Sequence, residues 1–557
     1  MPETSYEPRP LERWLERWFT PLLLSGLLVN LSGLWVTVAE PDAALYATIA
    51  RRMAETGNFV ELVLAGRDWL DKPHFPFWVT ALSFRLFGVG TLSYKLPAVC
   101  FWGLSLVYTY LFARHLYSRT VARLAVLLLV SAYHLVLSNN DVRAEPYLTA
   151  LLVGGLYHLV RAHERPYSPH LVWGALLTAC AVMTKGPFVL LAPCGALVLH
   201  WLAHRQWREL LRPRWWLALL LVAVFILPEL YCLYVQFDLH PEKEVFGRTG
   251  VSGLRFFFWD SQFGRFFNTG PIRGKGDPFF FLHTLLWAFL PWSLLLYAAC
   301  LSRLRSWWRQ GLAGQELFTW GAAGVLLGVF SLSGFQLPHY TNILFPFFSI
   351  ILAAWLDARG DAPSRVLAWT QSGVSVGMVV LMAAALWVFH SPLLLWAGLG
   401  LAAATGLVFA GFRGEAVGST LGRSFGVALA FCATLNLGFL PELVRYQAGS
   451  HAAELLNHQP ARPTGVHAVS GYAFQLYART RVEHWDLEAL KEVTRAGPVH
   501  LYLPEERVPA LEEAGLSVRR LGTFEDFRIT RPTRAFLDPA TRKGTLRPML
   551  LAEVATR

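Results

Sequence analysis

Apolar runs about as long as a bilayer is thick recur along nearly the whole of this 557-residue chain, with short connections between them. A helix needs about 20 consecutive apolar residues to cross, and only helices and closed barrels satisfy their backbone groups without water. About thirteen runs come near that length: 19–38, 92–113, 121–138, 146–161, 168–183, 187–203, 215–236, 279–300, 316–334, 340–356, 367–389, 393–412 and 423–440. Charged residues make up 16% of the chain, where soluble proteins carry roughly 25%. The mean hydropathy is +0.39. The chain reads as a polytopic α-helical membrane protein.

A net charge of +11 would point to nucleic acid in a soluble protein. Here the basic residues fall in alternate short connections, where they set orientation instead. Arg9, Arg13 and Arg17 precede the first run, and Arg114, Arg119 and Arg123 fill the second connection. Arg161 and Arg165, then Arg205, Arg208, Arg212 and Arg214, then Arg303, Arg305 and Arg309 occupy the fourth, sixth and eighth. Arg359, Arg365, Arg413 and Arg423 complete the series. The N-terminus and the even connections are therefore expected in the cytoplasm, and the odd connections outside it. The first run is long enough to span and lacks a small-residue cleavage site after it, so it reads as a retained helix. All six cysteines fall in apolar runs and read as small core residues, with no disulfide expected.

The odd connections hold the chemistry. The first, 39–91, carries Asp42, Tyr46 and the tripeptide Asp71-Lys72-Pro73. The third runs Asn139-Asn140-Asp141-Val142-Arg143-Ala144-Glu145, and the fifth contains Thr184-Lys185-Gly186-Pro187. The seventh, 237–278, places Arg265, Arg273 and Lys275 among aromatics, and the ninth contains Gln336-Leu337-Pro338-His339-Tyr340. Between Asp42 and Thr56 the apolar Leu45, Ile49 and Met53 recur every fourth residue until Gly57, and Phe75 to Phe87 is aromatic and apolar. These predict two helices lying in the membrane interface as the wall of a vestibule. From about Pro441 the composition turns polar. Strand-like runs at Val466–Ser470, Val499–Leu503, Ser517–Leu521 and Phe527–Thr530 alternate with helical ones at Leu487–Ala496 and Arg507–Ala514. That divides the chain into a membrane region, 1–440, and a small extracytoplasmic α/β unit, 441–557.

Each polar residue has two readings. Asp42 suits an N-cap after Pro41, or a carboxylate that takes an acceptor's proton or steadies charge on a sugar ring. Lys72 and Lys185 are either snorkelling interface lysines or clamps for a lipid-borne phosphate. Arg143 and Glu145 can pair with each other two residues apart. His339 and Tyr340 suit an aromatic belt or a hydrogen bond to phosphate or sugar. Asp71, Glu145 and His339 are conceivable metal donors, but no His-x-His or Glu-x-x-His spacing supports them.

Taken in order, Asp42 with Tyr46, Asp71-Lys72-Pro73, Arg143-Ala144-Glu145, Thr184-Lys185-Gly186 and Gln336-Leu337-Pro338-His339-Tyr340 resemble the pattern of bacterial aminoarabinose (lipid A) transferases and, more remotely, of protein O-mannosyltransferases. The resemblance runs to about residue 356. It implies a GT-C fold and inverting transfer of one sugar from a polyprenyl-phosphate donor to a lipid A-like, glycan or protein acceptor, at the periplasmic face of a bacterial inner membrane. Carried onto this sequence, it makes Asp42 and Glu145 the catalytic carboxylates, Glu145 standing where relatives have aspartate. Lys72, Arg265, Tyr340 and Lys185 would hold the donor phosphate, with Tyr46, Asp71, Arg143 and His339 completing the pocket. Ser261-Gln262 stands where the family has Glu-His, Asp71 replaces a glutamate, Gln336 a lysine and Leu45 an arginine. The missing histidine counts against a bound zinc, and the changes at Leu45 and Gln336 bear on which sugar and acceptor are used. No cofactor is required by this chemistry, although Asp71 leaves room for a divalent metal. A transporter is the alternative; it would place its charges near the bilayer midplane and show internal repeats, and none is legible. A ligase moving a whole glycan from a lipid diphosphate is a third reading within the same fold.

Overall fold

A computed structural model describes residues 8–312, 314–360, 364–390, 392–414 and 416–557. Six of its helices are long and apolar enough to cross a membrane: Pro10–Trp35, Thr91–Leu116, Pro338–Arg359, Arg365–Phe389, Leu394–Gly411 and Val417–Val444. Two further pairs pass the same test but are bent, Arg119–Val130 with Tyr133–Asn140 by 53° and Pro213–Phe225 with Leu227–Asp238 by 40°. Counting each pair as one crossing gives up to eight, fewer than the thirteen apolar runs. The runs at 146–161 and 168–183 are helices Glu145–Glu164 and Pro169–Lys185, and that at 279–300 breaks into Phe280–Ala288 and Ser293–Gln310. The break falls at Leu290-Pro291, where proline has no amide to continue the ladder.

The two short helices of the first loop form as their spacing suggests, at Asp42–Thr56 and Phe75–Phe87. Gly57 ends the first with φ of 70°, a left-handed conformation natural to glycine. A two-stranded hairpin, β1 (Val63–Leu64) and β2 (Arg67–Asp68), lies between them. Buried amides anchor the third connection: Asn139 donates to Asn30, and Asn140 to Asn436, at 3.0 and 2.9 Å. Lys95, fully buried, donates to the carbonyls of Gly33 and Val36 and so closes the end of the first helix.

The C-terminal sheet has five strands: β3 (Thr464–Val466), β4 (Val482–His484), β5 (Val499–Pro504), β6 (Leu516–Asp526) and β7 (Arg547–Thr556), in the order β4-β3-β5-β7-β6. β3 runs parallel to β4 and β5, while β7 is antiparallel to β5 and β6. Every residue of β5 is buried, as expected of a strand inside a sheet. Phe527–Thr530 is not a strand: β6 takes up the extended stretch before it, and Phe527 instead donates its amide to Tyr446.

This unit packs onto the first loop. Val38 donates its amide to the Tyr477 hydroxyl at 2.8 Å, and Gln447 binds both the Val38 carbonyl and the Glu40 amide. The Glu40 carboxylate accepts from the amide of Ala473. Arg51 donates to the carbonyls of Gln475, Leu476 and Ala478. The helix that begins at Asp42 is thereby held from the far end of the chain.

Candidate active site

Asp42 is the first residue of its helix, and Pro41 rather than Asp42 takes the N-cap position. A carboxylate in the first turn suits the helix dipole, and its side chain, 44% exposed, is left to face a cavity. One turn on, Tyr46 packs edge-on against Trp69 and Phe77, with ring centroids 6.0 and 5.6 Å away.

Arg143 does not pair with Glu145. Its guanidinium lies 2.8 Å from Asp42 and 2.9 Å from Asp141, joining the first and third connections. Glu145 opens the next helix, and its Oε1 lies 2.5 Å from the ammonium of Lys185. Its Oε2 is buried with no hydrogen-bond partner among the described residues. His339 sits 3.8 Å from Oε1. Lys185 in turn lies 3.7 Å from the centre of the Tyr340 ring, a cation–π contact. Gly186 follows with φ of 103°, and a Cβ there would fall 2.2 Å from the Gln262 amide.

Asp71 bridges two cations, with Lys72 at 2.5 Å and Arg265 on its other oxygen. Burial alone would raise the Asp71 pKa, but Lys72 and Arg265 hold it below the usual carboxylate value. Burial lowers Lys72 to about 8; Asp71 pulls against that shift, while Arg265 and Lys185 add to it.

All ten residues singled out from the sequence line one cavity of about 200 Å³, together with Ala144, Ile272, Phe335 and Leu337. Ile272 and Phe335 gave no sequence signal, being apolar residues in an apolar chain, and Ala144 and Leu337 entered only as neighbours of the polar motif residues. Asp141 was legible only as part of its turn. Arg273 and Lys275, in the same connection as Arg265, are exposed and do not line the cavity. An apolar groove of about 530 Å³ adjoins, walled by Phe188, Phe258, Phe263, Phe267 and Phe330. Lys185, Arg265, Phe335 and Tyr340 line both spaces. The arrangement can receive an anion with a long hydrocarbon attached, head in the cavity and tail in the groove.

A metal fits this donor set poorly. Asp71 already faces Lys72 and Arg265, and Glu145 faces Lys185. No group of three His, Cys, Asp or Glu among the described residues is placed to hold an ion. Gln262 donates to the Ser261 hydroxyl at 2.6 Å and packs over Gly186.

The architecture is the GT-C membrane fold: mostly helical, with a small sheet region. The chain superposes on ArnT from Cupriavidus metallidurans bound to undecaprenyl phosphate with a TM-score of 0.73, at 19% identity, covering 96% of this chain and 98% of that one. The archaeal oligosaccharyltransferase AglB from Archaeoglobus fulgidus gives 0.51 at 10% identity, over 88% and 70% of the two chains. In sequence, residues 71–232 match the family model described as dolichyl-phosphate-mannose-protein mannosyltransferase. An undecaprenyl phosphate-alpha-4-amino-4-deoxy-L-arabinose arabinosyl transferase from Pseudomonas aeruginosa is 30% identical over 337 residues, 58% of this chain. The match spans 57% of that relative's own length. One from Pseudomonas fluorescens is 29% identical over 366 residues, 63% of this chain and 62% of the relative.

Proposed function

We propose that this chain is an integral-membrane glycosyltransferase that moves a single sugar from a polyprenyl-phosphate carrier to a lipid, glycan or protein acceptor, with inversion at the anomeric carbon. The observation that carries this reading is the junction of the polar cavity with the apolar groove at Lys185, Arg265, Phe335 and Tyr340. An amphiphilic phosphoester fits that junction, and a water-soluble nucleotide sugar does not need a groove of this kind. The named activities of the curated relatives point the same way.

The acceptor oxygen attacks the anomeric carbon from the face opposite the phosphate. The bond between that carbon and the phosphate oxygen breaks, and its electron pair leaves with the polyprenyl phosphate. Lys72, Arg265 and Lys185 stabilise the charge released there, since donors already in place need no reorganisation as the bond opens. Each keeps spare N–H groups beyond those given to Asp71 and Glu145. Asp42, exposed to the cavity, takes the proton of an acceptor hydroxyl; a phosphate acceptor would need no such base. Glu145 Oε2, buried and unpartnered, accepts a hydrogen bond from the sugar. Tyr340 backs Lys185, Tyr46 and His339 shape the pocket, and Arg143 orients Asp42. No metal takes part.

In this reading thirteen segments cross a bacterial inner membrane, the N-terminus is cytoplasmic, and the site and residues 441–557 lie in the periplasm. The test is release of polyprenyl phosphate by the purified protein from a panel of synthetic polyprenyl-phosphate pentoses and hexoses, with cell-envelope extract as acceptor. Turnover of one donor, lost in Lys72→Ala, is expected. Inactivity toward the whole panel, with a substrate gradient carried across vesicles instead, would select the transporter.

A further inference from the structure

His74 and Glu229 are both fully buried, and neither belongs to the machinery described so far. Glu229 Oε2 accepts the backbone amide of His74 at 2.9 Å, and Oε1 lies 3.0 Å from the imidazole Nδ1. The other ring nitrogen lies 2.9 Å from the carbonyl of Val60. Both ring nitrogens thus face oxygen, and a neutral imidazole has a single N–H. The imidazole is thus held from both sides, and the pair fixes the chain beside the three cations Lys72, Lys185 and Arg265.

Geometry says what is fixed. Lys72 is two residues before His74, with Pro73 between them. Proline locks its own φ and restricts the residue before it to extended backbone, so clamping His74 at its amide and ring sets the direction of Lys72. Glu229 also lines a small cavity of about 30 Å³ together with Asp71, Lys72, Lys185 and Arg265. The helix that carries Glu229 grips the same loop a second time. Two turns on, Gln236 accepts the Leu62 amide at 3.0 Å and donates to the Leu62 carbonyl and to Asp68.

We propose that His74 and Glu229 are positioning residues: a buried clamp on the Leu227–Asp238 helix that aims Lys72 at the anionic headgroup. This rests on the phosphate role of Lys72 given above. In the test, Lys72 is labelled with an amine-reactive reagent in the full-length protein in detergent, with exposed Lys275 as internal reference. Labelling is read by peptide mass spectrometry, and binding of a short-chain polyprenyl phosphate is measured alongside. Glu229→Gln is expected to raise Lys72 labelling several-fold and to weaken binding about ten-fold, while in a Lys72→Ala background it weakens binding by less than about two-fold, because coupled residues are not additive. Labelling unchanged, or losses that multiply in the double variant, would overturn the clamp. If Glu229→Gln fails to remain monodisperse, His74→Gln enters the same cycle. Should Lys72→Ala bind phosphate normally, the phosphate site falls, while the labelling arm still decides whether the clamp sets Lys72.

Discussion

The Arg143 guanidinium reaches Asp42 at 2.8 Å while holding Asp141 at 2.9 Å, so the most exposed carboxylate of the site is steered by a residue about a hundred positions away. A planar fork can bridge two carboxylates, and an ammonium cannot do so in the same geometry. Arg143→Lys is therefore expected to recover little of what Arg143→Ala loses. Losing charged hydrogen bonds of this kind costs about 1.5–3 kcal/mol, so kcat/KM should fall by roughly 10- to 100-fold in steady-state assays. A fall below two-fold would remove Arg143 from the site.

Lys72 gives a pH dependence with a definite sign. In the proposed phosphate role its ammonium is the binding form, and its pKa is lowered to about 8, chiefly by burial. Below that pH the group is charged and competent; above it the charge is lost. Since kcat/KM reports the free enzyme, a profile falling above about pH 8 is expected, and Lys72→Arg should remove that limb. A flat profile to pH 10 would contradict the assignment.

Gly186 is predicted to resist substitution for a backbone reason. Its φ of 103° lies where side chains are strained, and a Cβ there would meet Gln262. Gly186→Ala should lower stability by roughly 1–3 kcal/mol, seen as a lower thermal midpoint in detergent. Removing the clash with Gln262→Ala should restore only part of it, because the amide end of Gln262 can move and the φ cannot.

The donor set predicts that turnover survives exhaustive chelation, because Asp71 and Glu145 are committed to cations. Turnover lost to chelator and restored by zinc or magnesium would show that those ion pairs open for a metal.

Arg51 holds the Asp42 helix to the C-terminal unit through three carbonyls. Arg51→Ala leaves those acceptors buried and unpaired, at a cost of roughly 2–4 kcal/mol. Limited proteolysis should then release the C-terminal unit earlier than in the parent, while Arg52→Ala, an exposed neighbour, should not.

Some of this was legible before any coordinates. The Asp42–Thr56 helix follows from Leu45, Ile49 and Met53 and from Gly57 as its stop, all local features. Alternating basic loops lead one to expect Asp42, Lys72, Glu145, Lys185 and Tyr340 on a shared face, and these five line one cavity. Partners are another matter. Arg143 was two residues from Glu145 in sequence, yet the helix beginning at Glu145 turns that carboxylate toward Lys185, and packing brings Asp42 to the arginine instead. β7 pairs antiparallel with both β5 and β6, and the short helical turns between Asp526 and Arg547 separate it from the strand before it. The bends at 130–133 and 225–227 hide inside continuous apolar runs, which report length and not direction.

The grip of residues 447–478 on Val38, Glu40 and Arg51 has a bearing on biogenesis. A ribosome delivers the Asp42 helix early, but the contacts that seat it lie some four hundred residues downstream. Until residues 447–478 have been translated and have folded against it, the nascent chain holds a half-built pocket, so the Asp42 helix is seated long after it first emerges.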